Sequence, residues 1–144
     1  MIFRCYLEIT NVCNLDCLFC PKTERKGRSL SMEEFALLTD KLRGEVKFLY
    51  FHLMGEPLMH RHLADFVIMA KEKGFVPVLT TNGTLIDRRE EDLLRVSPHK
   101  IQISLHSHEG NGKDAPEVYM RQVMTFPQKA AQLGVIVVLR LWNQ

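Results

Sequence analysis

The chain has 144 residues, 46% of them apolar and 25% charged, with a formal net charge of +2. That length holds one domain with a moderate core, and the composition is that of an ordinary soluble globular protein. So small a charge gives no specific support for nucleic acid or a membrane surface as partner, and the longest apolar runs, such as Val135–Leu139, are far too short to span a bilayer. Glu8 interrupts any apolar stretch of an N-terminal signal peptide, so the four cysteines are expected as thiols in a reducing, cytoplasmic compartment.

Short apolar runs alternate with stretches of helical periodicity, the βαβα order of a parallel sheet covered by helices, with no internal repeat or linker. The first strand is expected over Phe3–Ile9, leading into Cys13-Asn-Leu-Asp-Cys17-Leu-Phe-Cys20-Pro. Three cysteines within eight residues point to metal or redox chemistry rather than to structural disulfides. Cys5, mid-strand beside Phe3 and Leu7, reads instead as a small core residue. After a basic stretch, Lys22 to Arg28, Ser31 and Glu34 form a capping-box pattern. The helix it opens carries Phe35, Leu38 and Leu42 at helical spacing and ends at Gly44.

The second strand, Val46–Leu53, is apolar on both faces, as befits burial under helices, and runs into Met54-Gly55-Glu56-Pro57. A helix from about Arg61 to Lys73 closes at Gly74 and feeds a strand at Val76–Thr80, where Pro77 is tolerable only at the strand start. Thr81-Asn82-Gly83 follows, then a short helix over Arg88–Val96. Ile101–His106 alternates strictly: Ile101, Ile103 and Leu105 form one face, and Gln102, Ser104 and His106 the other. In a barrel whose apolar face packs on outer helices, that polar face looks inward. A helix over Glu117–Leu133, capped by Gly134, precedes the strand Val135–Trp142. The count is about five parallel strands and four helices. An apolar strand in last place, with an open edge, makes a truncated chain or a fragment the expectation.

Three thiolates can bind three irons of a four-iron cluster and leave one open, whereas cluster proteins usually supply four cysteines. On the three cysteines alone, a zinc site is a fair competitor. The spacing C-x3-C-x2-C, with Phe19 before the last cysteine, resembles the signature of the radical SAM superfamily. So do Met54-Gly55-Glu56-Pro57, Thr81-Asn82-Gly83 and Ile103-Ser104-Leu105-His106, each at the end of a successive strand. Met54 stands where the family commonly has a glycine. The resemblance covers about residues 4–141 and implies an α/β fold, a partial (β/α) barrel. Residues 1–144 would then be the N-terminal part of that barrel domain, without its later strands or any C-terminal domain.

The same resemblance implies two cofactors. One is a [4Fe–4S] cluster on Cys13, Cys17 and Cys20; the other is S-adenosylmethionine, chelated at the open iron. Phe19 would pack near the cluster or the adenine, and Gly55 and Glu56 would contact the methionine amine. Ser104 would reach the methionine carboxylate or the ribose, with Asn82 and His106 as further cofactor contacts. An electron from an external donor such as flavodoxin or ferredoxin would cleave the sulfonium to a 5′-deoxyadenosyl radical that abstracts hydrogen from a substrate. The substrate is not chosen by the fold.

Plainer readings of the same residues stay open. Glu56 could be a surface carboxylate before a helix, and Asn82 and Gly83 could serve only the turn. Ser104 and His106 could satisfy local backbone. His52, His60 and His62 are expected in surface or capping roles. The basic stretch is expected as a solvated loop, and Met54 and Met59 as packing filler. Two rival functions also stand: an electron-transfer module that holds a cluster without turning over S-adenosylmethionine, and a zinc-binding module.

Overall fold

A computed structural model describes residues 2–109 and 116–141 of the chain. Five strands form one parallel sheet: β1 (Ile2–Tyr6), β2 (Val46–Phe51), β3 (Val76–Thr81), β4 (Lys100–Ser104) and β5 (Ile136–Arg140). They lie side by side in sequence order. The connecting helices are α1 (Met32–Leu42), α2 (Leu63–Glu72), α3 (Ile86–Val96), the single turn α4 (His106–Glu109) and α5 (Pro116–Gln132). Because every crossover steps to the next strand in the same direction, right-handed connections put the helices on one face. The core therefore sits on that face, where Leu49, Phe51, Leu79, Ile101 and Ile103 of the sheet meet Phe35, Phe66, Leu93, Val123 and Phe126 of the helices. The opposite face carries Tyr50 and Thr80 together with Gln102 and Ser104, which were expected to look inward. Among the described residues no helix is long and apolar enough to cross a membrane.

Local signals hold where the chemistry is local. Ser31 accepts from the Glu34 N–H at 3.2 Å while the Glu34 carboxylate accepts from the Ser31 N–H at 2.9 Å, the expected capping box. Pro77 is the second residue of β3, at the strand start. Strand ends differ from the hydrophobic pattern. β1 stops at Tyr6 rather than Ile9, and Glu8 is used instead to pair with Arg25 at 2.8 Å and to accept from the Met54 N–H at 3.1 Å. β2 stops at Phe51 rather than Leu53, because Leu53 takes φ 138°, a conformation a bulky side chain rarely adopts. His106 opens α4 instead of ending β4. α3 starts two residues early, at Ile86. β5 begins at Ile136 and stops at Arg140, before Leu141, while Trp142 lies outside the described residues.

Candidate functional site

All three cysteines of the loop line one cavity of about 490 Å3 at the C-terminal ends of the strands. Phe19, Gly55, Glu56, Asn82, Ser104 and His106 line the same cavity. The nine residues singled out from the sequence are thus brought together from four strand ends. Such a rim is where α/β barrels gather chemistry, because the loops there converge while the sheet stays rigid.

The cysteine loop is laced to its neighbours by polar contacts. The Glu56 N–H donates to the Val12 carbonyl at 2.8 Å, and the Thr10 hydroxyl donates to the Arg28 carbonyl at 3.2 Å. Asn14 donates to the Thr84 hydroxyl at 2.8 Å and accepts from the Asn82 side-chain amide at 3.0 Å. The same Asn82 amide also points at the Cys13 sulfur, 3.9 Å away, and the Leu15 N–H donates to that sulfur at 3.4 Å. Burial pushes the Cys13 thiol up from its ordinary pKa, and these two donors oppose the shift. Cys17 is buried, with its thiol 3.8 Å from the Ser107 carbonyl, whereas Cys13 is exposed and Cys20 intermediate. Among the described residues no three His, Cys, Asp or Glu side chains gather tightly enough for a lone metal ion.

Glu56 forms the floor. It is only 1% exposed, and three donors converge on its carboxylate. One oxygen accepts from the Leu58 N–H at 2.9 Å and the Thr81 hydroxyl at 2.7 Å; the other accepts from the Asn82 N–H at 2.7 Å. Those bonds favour the ionised form, but burial outweighs them and raises the carboxyl from 4.5 to about 7. The reading of Glu56 as a surface carboxylate is therefore replaced by a buried one. A carboxylate offers about four lone-pair sites, so one direction is left for a cavity ligand.

Gly55 is required by contact as well as by conformation. At φ 77° a Cβ would press into the Thr10 carbonyl oxygen and stand 2.8 Å from that of Val12. Gly83, at φ 81°, has the conformation its turn reading expects, and packing requires it too, since a Cβ there would stand 2.8 Å from Ile103. Asn82, by contrast, reaches beyond the turn to Cys13 and Asn14. Phe19 stands edge-on to His106, with ring centres 5.1 Å apart. Cys5 packs against the core, as read from sequence. The basic stretch pairs with local acids, Lys22 with Asp16, Arg25 with Glu8 and Arg28 with Glu34.

Sequence reasoning missed several residues. His52, read as a surface or capping residue, faces the cavity because it continues the inward parity of β2. His60 is buried rather than at the surface; its imidazole contacts the Leu30 carbonyl at 3.0 Å and accepts from the His62 N–H at 3.1 Å. Thr80, Thr81 and Arg140 line the cavity as well. Arg140 shares the parity of Ser104, its register partner, and that alternation was the signal available.

The chain resembles known proteins along most of its length. The model of the Radical SAM superfamily matches residues 7–141. A tungsten-containing aldehyde ferredoxin oxidoreductase cofactor-modifying protein of Pyrococcus furiosus is 38% identical over 105 residues, 69% of this chain and 30% of that protein. A GTP 3′,8-cyclase of Chlorobaculum tepidum is 31% identical over 104 residues, 69% of this chain and 31% of that protein. This chain therefore spans less than a third of either relative. The crystal structure of BtrN in complex with AdoMet and 2-DOIA superposes with a TM-score of 0.72 at 22% identity, covering 97% of this chain and 57% of BtrN. Streptococcus suis SuiB, bound to its precursor peptide SuiA, gives 0.72 at 16% identity, over 100% of this chain and 34% of SuiB. With its motifs gathered on one rim and residues 7–141 matched by the family's model, this chain belongs to the radical SAM superfamily.

Proposed function

We propose that this chain holds a [4Fe–4S] cluster on Cys13, Cys17 and Cys20 and seats S-adenosylmethionine in the same cavity. When bound, these cofactors supply reductive cleavage to a 5′-deoxyadenosyl radical that abstracts hydrogen from a substrate. The observation that carries the reading is the convergence of the three thiols with Gly55, Glu56, Asn82, Ser104 and His106 on one cavity. The donor set suits the group: soft sulfur ligands on an accessible loop, with N–H donors aimed at one sulfur, the kind of contact that tunes a cluster.

The remaining residues would bind and orient. The Gly55 backbone, held against Thr10 and Val12, and the free direction of the Glu56 carboxylate suit an ammonium group. Ser104, at the end of β4, offers a hydroxyl to a carboxylate or ribose, and Phe19 with His106 forms a flat wall beside the cysteines. An external one-electron donor, of flavodoxin or ferredoxin type, and a cytoplasmic setting complete the proposal.

Anaerobic reconstitution with iron and sulfide tests it, followed by iron and sulfide analysis and assay for 5′-deoxyadenosine under reduction. Alanine at Cys13, Cys17 or Cys20 should abolish the cluster, and Cys5→Ala should keep it. Absence of a cluster, or one lost only in Cys5→Ala, overturns the reading. A cluster whose electron paramagnetic resonance spectrum ignores added S-adenosylmethionine would leave only an electron-transfer module.

A further inference from the structure

A second cavity, of about 380 Å3, lies beside the first on the face of the sheet away from the helices. Its wall is built from cross-strand neighbours: Tyr6 faces Tyr50, and Thr80 faces Gln102. His52, Thr80 and Arg140 border both cavities, so a molecule in the second would abut the contents of the first.

Three observations give the chemistry of an occupant. Arg140 borders the cavity with no carboxylate among the residues that line it, and among the described residues it takes part in no ion pair. A guanidinium in that setting presents a planar fork of donors matched to an oxyanion. Next, the Thr80 hydroxyl is buried, its residue 6% exposed, and among the described residues it has no hydrogen-bond partner. Buried hydroxyls are normally paired, so this one calls for a polar group from a ligand. Finally, Tyr6 and Tyr50 have ring centres 5.0 Å apart and His52 lies 6.0 Å from Tyr6, an aromatic wall suited to a flat body. Burial, then the Arg140 charge, holds His52 below its ordinary pKa, which leaves Arg140 as the cationic group of this wall.

We propose that this cavity is the substrate subsite and that it takes a small, flat molecule bearing an oxyanion. Arg140 would pair with the anion, Thr80 and Gln102 would bond a polar substituent, and the tyrosines would cover the ring. The proposal gives a substrate class to the function proposed above and rests on that reading for its purpose, though binding itself needs no turnover.

The test titrates reduced, anaerobically purified protein, with and without a reconstituted cluster, with benzoate, phenyl phosphate and neutral benzamide, followed by calorimetry. At least one anion should bind about tenfold or more tightly than benzamide, the gain of a charge-assisted bond. The anion with the larger gain separates carboxylate from phosphate chemistry. Arg140→Gln should erase that gain and keep benzamide binding within about twofold, while Arg140→Lys, which keeps charge but not the fork, restores part of it. The cluster absorbance of the unmodified protein and its spectral response to S-adenosylmethionine are read alongside, so that failure of the cluster reading shows without any variant and stays separate from failure here. Equal binding of all three probes by the unmodified protein, binding of none, or selectivity that survives Arg140→Gln overturns the proposal. So does loss of the S-adenosylmethionine response in that variant, which would assign Arg140 to the cofactor.

Discussion

Glu56→Gln separates the charge of the buried carboxyl from its shape. The folded carboxyl titrates at about 7 against an ordinary 4.5, so the native state binds more protons than the unfolded chain across that interval. Stability is then fully present below the unfolded value and is lost as pH rises through the folded one. At about 1.36 kcal/mol per unit, a shift of roughly 2.5 units makes the loss about 3 kcal/mol, undiscounted for solvent because the group is almost wholly buried. Glutamine has no such titration, but its amide sets a donor against the Asn82 N–H that the carboxylate accepts at 2.7 Å. That mismatch costs about 1–3 kcal/mol at any pH. The variant should therefore be the less stable protein in acid, and the gap should shrink by about 2–3 kcal/mol between about pH 5 and about pH 8.5. Urea unfolding of the reduced, metal-free protein, read by circular dichroism along a pH series, measures it. His52 and His60 work in the opposite sense, since burial lowers both and stability from them is lost as pH falls. They are present in both proteins and cancel in the difference. A gap that stays constant with pH refutes the reasoning.

Three further outcomes follow from the same geometry. Gly55→Ala should cost more than Gly44→Ala: both positions have positive φ, but only Gly55 meets backbone oxygens, whereas a Cβ at Gly44 meets nothing within 4 Å. Urea midpoints should put Gly44→Ala near 1 kcal/mol and Gly55→Ala at about 2 kcal/mol or more above it. Thr81→Val removes a donor to Glu56 and the acceptor of the Gly83 N–H, for a loss of about 1–3 kcal/mol by the same assay. Because that donor favours the ionised carboxylate, Thr81→Val should also move the Glu56 transition to higher pH, visible when the pH series is repeated.

The helices and the sheet order were legible because their signals are local or periodic. Ser31 and Glu34 announce α1, and the alternation Ile101, Ile103, Leu105 against Gln102, Ser104 assigns both faces of β4. The motif residues were legible as a set because strand ends of a parallel sheet converge, so four separate segments had to meet. What was not legible depends on tertiary contact. Glu56 reads as a carboxylate before a proline, and only the arrival of Thr81 and Asn82 from β3 turns it into a buried anchor. His52 belongs to a strand whose ladder ends one residue earlier, so its cavity-facing role depended on where Leu53 breaks the pattern. Arg140 gives no motif at all; its meaning comes from standing beside Ser104 across the β4–β5 ladder.

The anchoring of the cysteine loop explains why the noncysteine motifs matter to it. The loop has no strand or helix of its own between Tyr6 and Met32, apart from one bridge between Thr10 and Ser29. Leu18 is 92% exposed, so hydrophobic burial does little to hold the tip. Position comes instead from polar bonds to the β2 and β3 exits: Glu56 to the Val12 carbonyl, Asn82 to Asn14, and Asn14 to Thr84. Glu56 in turn accepts from the Asn82 backbone, so both exits are tied through one carboxylate. Segments held this way open at lower free energy than core strands, since few apolar contacts must be broken. Loosening Glu56 should therefore free the cysteine loop while the sheet beneath stays folded. Amide exchange should separate these events, with the larger loss of protection at Leu15 and Asn82 in Glu56→Gln and, at Leu79 and Ile103, only the loss that matches the fall in global stability.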